Sequence, residues 1–291
     1  MGEKHWRTVE LTINGFTYPA RYTEENIEEL FVPFLHRLAL LRERLGRRII
    51  AFVAAPPAVG KSTLVAFLER LSREREGLQP IQAIGLDGFH YHSDYLKNHT
   101  VERDGKQVLM QSVKGCPETF DVRHFTEKLR ELTKGDTLWP VYDRQQHNVR
   151  EDALCVTGDI ILIEGNWLLL SDAPWKAARE LADATLFLRA DAKNLKERLI
   201  GRKMKGGATR EAATAFYAAS DGPNVERVLC DSVAAEETWT MLADGSFQNR
   251  GDDADGRKAN RGIDFRSCRW RCARRAGGVP ESNRASGKSR A

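Results

Sequence analysis

Residues 49–64 read IIAFVAAPPAVGKSTL, and the fold turns on this stretch. The continuous apolar run from Ile49 to Ala54 suits a parallel strand buried on both faces. Pro56 and Pro57 interrupt it, and from Ser62 the segment STLVAFLERLSRE places Leu64, Phe67, Leu68 and Leu71 on one helical face. Between strand and helix lies APPAVGKS, which fits the phosphate-loop pattern G-x-x-x-x-G-K-[ST], except that Ala55 stands at the first glycine and Ala58 where glycine is also common. In such a loop the backbone N–H groups of Ala58, Val59, Gly60, Lys61, Ser62 and Thr63 surround phosphate, the Lys61 ammonium reaches the terminal phosphates, and the Ser62 hydroxyl binds Mg²⁺. Gly60 lets the backbone approach closely. Ala55 would cost roughly 1 kcal/mol if its φ had to be positive, little beside several charge-assisted hydrogen bonds.

Outward from this centre the pattern repeats. IQAIGL ends at Asp87, DIILIEGNWLLL carries Glu164, and ATLFLRA follows a helical segment around Trp175 to Leu181. Strands alternating with helices imply an α/β fold: a doubly wound, mostly parallel sheet with helices on both faces and ligands at the strand carboxyl ends. Upstream, Thr23 caps a helix in which Ile27, Leu30, Phe31, Phe34, Leu38 and Leu41 recur at helical spacing, with Pro33 expected to kink it. The expected organisation is a helical N-terminal extension packed on the core (1–47), a catalytic domain (48–248) and an Arg-rich appendage (249–291). The last has no periodicity and is read as disordered.

The formal charge of +4 over 291 residues is concentrated in that appendage. It holds twelve Lys and Arg against five Asp and Glu, whereas residues 1–248 carry 33 basic and 36 acidic side chains. A nucleic-acid partner is therefore not expected of the folded part, and the appendage's CRWRC offers a single aromatic for stacking. Five scattered cysteines argue against a disulfide framework, and the Cys268–Cys272 spacing lacks a second ligand pair for zinc. No run of eighteen apolar residues or secretory leader is present, so a cytoplasmic protein without a membrane partner is expected.

A phosphate loop alone fits a GTPase, a mechanical ATPase or a small-molecule kinase. The guanine-selective NKxD is absent. Asp87, directly after a strand, suits a general base that takes the proton of an attacking hydroxyl, although Asp-Gly also simply makes a turn. Arg198 and Arg202 lie four residues apart on a helix in KNLKERLIGRKMKGG, within reach of a transferred phosphoryl group, although charged residues on a solvated face are common.

Together, APPAVGKST, LDGFH (86–90), KGCPETFD (114–121), PVYDRQQH (140–147) and IEGNW (163–167) resemble the uridine kinase, phosphoribulokinase and type I pantothenate kinase group of P-loop kinases, over roughly Arg48 to Asn224. The YDRQQH and EGNWLLL forms are most similar to bacterial nucleoside/nucleotide kinase-like proteins often labelled fructose-transport-system kinases. The resemblance implies a P-loop NTPase fold, ATP as donor, Lys61 on the β- and γ-phosphates, Mg²⁺ organised by Ser62 and Glu164, and Asp87 as base. It places His90, Lys114, Tyr142 and His147 at a small-molecule acceptor. The expected acceptor is an alcohol of a sugar, nucleoside or pantothenate-like metabolite, and because uridine kinases carry an acidic residue near Gly115, uridine and cytidine are expected to be poor acceptors beside a free sugar, polyol or pantothenate-like alcohol. A homodimer is compatible with the sequence. Two other classes remain: a nucleotide sensor without phosphotransfer, suggested by Ala55 and Ala58, and a nucleic-acid binder using the Arg-rich appendage.

Overall fold

The computed structural model describes residues 4–13, 15–103 and 105–249. The chain opens not with a helix but with an antiparallel hairpin, β1 (Trp6–Ile13) and β2 (Phe16–Thr23), in which Ile13 faces Phe16 across the turn. This corrects the helical reading of residues 1–47, which holds only from residue 24. Helix α1 (residues 24–45) starts at Thr23, whose hydroxyl accepts the Asn26 N–H at 3.1 Å. It contains a π turn at Ile27–Phe31 just before Pro33. Proline lacks the N–H of an i→i−4 bond, and the helix absorbs the loss by widening one turn.

Next come β3 (Ile49–Ala54), α2 (Lys61–Glu74) and β4 (Gln82–Gly85). After a short helix, α3 (Ser93–Asn98), two antiparallel hairpins follow: β5 (Thr100–Arg103) with β6 (Lys106–Leu109), and, beyond α4 (Val122–Leu132), β7 (Thr137–Asp143) with β8 (Asn148–Val156). The chain continues through β9 (Ile160–Gly165), α5 (Ala173–Arg179), β10 (Ala184–Ala190), α6 (Ala192–Lys205) and α7 (residues 210–231) to β11 (Glu237–Met241) and β12 (Phe247–Asn249). Asn249 thus closes a strand. The expected Arg-rich appendage, with Cys268 and Cys272, lies from residue 250 outside the described residues.

Six strands form the central sheet in the order β12-β11-β10-β3-β9-β4, parallel throughout except β11 with β12. Both faces are covered, as a parallel sheet requires. Ile49, Ala51 and Val53 of β3 enter one core with α1, α2, α6 and the N-terminal hairpin. Ile50, Phe52 and Ala54 enter the other with Phe125, Leu129, Trp139, Trp167 and Trp175. This alternation makes every β3 residue buried and explains its unbroken apolar run. Among the described residues no helix is long and apolar enough to cross a membrane.

Candidate active site

Strand parity decides which side chains meet at the carboxyl edge of the sheet. In β9, Ile160 and Leu162 join the core beneath α1 and α2, while Ile161 and Ile163 join the opposite one. Glu164 continues the first series and stands opposite Val53 of β3. Its carboxylate therefore meets the start of α2. Ser62 Oγ donates to Glu164 Oε1 at 2.6 Å, and Lys61 Nζ lies 3.5 Å from Oε2.

The turn that delivers Lys61 and Ser62 contains two residues in the left-handed region, Gly60 at φ +96° and Ala58 at φ +67°. Ala55 is fully buried and has no positive φ. The backbone cost expected at Ala55 thus falls on Ala58, at about 1–2 kcal/mol. Gly60 immediately precedes α2, so the unpaired N–H groups of the first helical turn point at the space where an anion is best stabilised.

Asp87 follows β4 in a tight turn, Leu86–Phe89. β4 is the edge strand, and β9 separates it from β3, so Asp87 faces Ser62 across Glu164. Ser62, Asp87, Tyr142 and Glu164 line one cavity of about 200 Å³. The glycine after Asp87 has its own reason: a Cβ on Gly88 would lie 1.9 Å from the Pro140 carbonyl oxygen. β7 crosses against the turn here, and no larger residue fits.

Beyond Asp87, His90 stacks on Phe120 with centroids 3.8 Å apart, and its Nδ1 lies 3.4 Å from the Thr119 carbonyl oxygen. Burial pushes its imidazole down to about 4, against the pull of Asp87, so the ring is neutral near pH 7. Lys114 Nζ donates to Tyr142 Oη at 2.8 Å and lies 4.5 Å from the centroid of its ring. Gly115 takes φ +101°, and its carbonyl accepts the Trp167 indole N–H at 3.1 Å. The backbone alone favours glycine there. His147, at the β7–β8 turn with φ +52°, keeps its side chain exposed and presents its carbonyl, 3.4 Å from Lys114 Nζ.

The two arginines of α6 part company. Arg198 lines a second cavity, on the far side of Gly60 from Asp87, where its Nη1 donates to Met241 Sδ at 3.2 Å. Arg202 is exposed and helps to draw down the Asp221 carboxyl, although burial dominates and leaves that group above its ordinary value.

Two groups escaped the sequence reading. Arg227 of α7 donates to Glu118 Oε1 and Asp172 Oδ2, both at 2.6 Å, pinning the KGCPETFD segment to the cap of α5. A lone Arg in a helix gives no such signal. The N-terminal hairpin also reaches the site: Thr12 and Ile13 at its tip line the Asp87 cavity. Asn14-Gly15 between alternating segments is a strong hairpin signal and would have revealed it.

Which metal and phosphates suit this edge follows from its donors. The convergent Ser62 hydroxyl and Glu164 carboxylate are hard oxygen ligands, and Mg²⁺ characteristically takes one or two such groups together with phosphate oxygens and water.

No protein-family profile matches the chain. It is 45% identical over 240 residues to YggC of Escherichia coli (strain K12), an uncharacterised protein, covering 82% of this chain and 98% of that one. It is 30% identical over 174 residues to the provisionally named uridine kinase C227.14 of Schizosaccharomyces pombe, covering 57% of this chain and 72% of the relative. Among solved structures, a protein from Silicibacter sp. TM1040, provisionally described as a fructose transport system kinase, superimposes with a TM-score of 0.59 at 27% identity, over 69% of this chain and 98% of that one.

Proposed function

This chain belongs to the P-loop small-molecule kinases that include uridine and pantothenate kinases, and we propose that it transfers the γ-phosphate of ATP, with Mg²⁺, to an alcohol group of a small metabolite in the cytoplasm. The observation that carries this reading is the convergence of Lys61, Ser62 and Glu164 at one strand edge with Asp87 in the same cavity. Asp87 takes the hydroxyl proton of the acceptor, the acceptor oxygen bonds to the γ-phosphorus, and the bond from that phosphorus to the β–γ bridging oxygen breaks to release ADP. Lys61 would hold the terminal phosphates, and Ser62 and Glu164 would hold Mg²⁺, whose charge would stabilise the phosphate oxygens. Neutral His90 and the Lys114–Tyr142 pair orient the acceptor.

The acceptor is a sugar, polyol or pantothenate-like alcohol. Gly115 offers no side chain to ribose hydroxyls, and an unpartnered buried hydroxyl costs on the order of 1–3 kcal/mol. The alternative of a sensor without phosphotransfer draws on Ala55 and Ala58, yet Ala58 alone of the two bears a positive φ, a cost that several phosphate hydrogen bonds outweigh. A panel of metabolite alcohols, assayed for ADP release matched one-to-one by a phosphorylated product, tests the proposal. ATP binding with no product from any alcohol would favour the sensor. Efficient uridine phosphorylation would overturn the acceptor assignment, and wild-type turnover in a folded Lys61→Ala protein would overturn the phosphate cradle.

A further inference from the structure

The second cavity, of about 230 Å³, is lined by Trp6 and Arg21 of the hairpin, Gly60 and Thr63 of the phosphate turn, Arg198 of α6 and Asp244 after β11. It lies below the usual 300–1,000 Å³ of drug-sized sites and suits a single ring system. We infer that the N-terminal hairpin, through Trp6 and Arg21, supplies the stacking surface for the base of the phosphate donor in this cavity. The inference rests on the nucleotide-binding reading above and adds an element from outside the strand edge.

Three observations carry it. The first is position: Gly60 and Thr63 flank the two residues assigned to phosphate and metal, so a group in this cavity is continuous with phosphates in the cradle, on the side away from Asp87. A Cβ on Gly60 would lie 3.8 Å from Arg198 Nη2. The second is chemistry: the Arg21 guanidinium carbon lies 4.8 Å from the centroid of Trp6, a planar cation on an aromatic ring, and both surfaces stack on nucleobases. Asp244 lines the same cavity, where Lys4 Nζ at 2.6 Å and the Ser246 N–H at 3.0 Å hold its carboxyl well below the usual carboxylate range, as an anionic acceptor for base N–H groups. The third is rigidity. Tyr22, next to Arg21, is buried and stacks on Phe67 of α2 at 4.5 Å, while Arg70 of α2 donates to the Glu10 carbonyl at 3.2 Å. The hairpin is thereby fixed to the helix that begins at the phosphate turn.

Comparing ATP with inorganic tripolyphosphate tests this, because the cradle binds both and only ATP has a base. Dissociation constants are measured calorimetrically with Mg²⁺ for the full chain and for Trp6→Ala, Trp6→Phe and Arg21→Ala. Trp6→Ala should weaken ATP about tenfold, leave tripolyphosphate unchanged and be largely rescued by Trp6→Phe. Arg21→Ala, an exposed site whose change spares the fold, should weaken ATP alone by about threefold. Equal losses for both ligands, or no loss for ATP in the folded variants, would overturn the hairpin's role while leaving the cradle intact. Failure of the wild type to bind tripolyphosphate would overturn the cradle, and this inference with it.

Discussion

The two cavities on either side of Gly60 are built by different means. On the Asp87 side, Glu164 lies near the end of β9, Asp87 follows β4, and Ser62 stands in the first turn of α2, where the parity of β9 turns the Glu164 carboxylate toward it at 2.6 Å. On the Arg198 side the walls come from residues 6, 21, 198 and 244, joined by packing, isolated side-chain hydrogen bonds and surface ion pairs such as Lys4–Asp244. Side chains placed by a buried sheet inherit the sheet's precision. A wall placed by a hairpin depends on Tyr22, Phe31 and Phe67, a smaller aromatic contact that sequence variation can remodel without disturbing β3.

The sharpest way to break this contrast is Asp87→Asn. It should reduce phosphoryl transfer by about two to four orders of magnitude in single-turnover assays while ATP binds as before. A matching loss of ATP affinity would mean that the cavities are not separable. Gly88→Ala comes next, since its methyl would overlap the Pro140 carbonyl and force β7 away from the Asp87 turn. Chemical denaturation should show a loss of about 3 kcal/mol, the upper end of what overpacking costs, and tripolyphosphate should still bind the protein that remains folded.

A pH-dependent effect should also belong to the Asp87 side. The folded value of His90, about 4, lies below its ordinary 6.5, so the unfolded chain binds the extra proton between them. Stability should fall as pH drops from 6.5 toward 4, by at most about 1.4 kcal/mol per pH unit from this group. His90→Phe keeps a ring against Phe120 and removes the titration, so its stability should fall less steeply over that window. The smallest effect is expected at Ala58, where glycine relieves a left-handed backbone but adds unfolded-state entropy. Ala58→Gly should stabilise the protein by no more than about 1 kcal/mol in thermal unfolding, and a clear loss would show that its methyl contributes packing.

Much of the Asp87 side was legible in one dimension, because its signals are local. IIAFVA, the GKS turn and the amphipathic STLVAFLERL each carry their own periodicity, and LDGF and IEG mark strand ends by an abrupt change from apolar to acidic. Thr23 as a helix cap was equally local. Arg198 and Arg202 show where such reading stops. Helical spacing fixes their separation but not the direction of the helix face, and the packing of α6 sends Arg198 to the far side of Gly60.

By itself the sequence determined the phosphate turn, the parallel sheet around it and the acidic residues that close its strands, since each follows from short-range periodicity and from the chemistry of single side chains. Tertiary structure alone decided that β9 lies between β3 and β4, that Gly88 yields to Pro140, that Arg227 joins Glu118 to Asp172, and that a hairpin from residues 6–23 lines cavities on both sides of the phosphate turn. These arise from contacts between segments far apart in the chain. Strand order and the docking of separate elements depend on which apolar faces bury each other, and no local pattern carries that information.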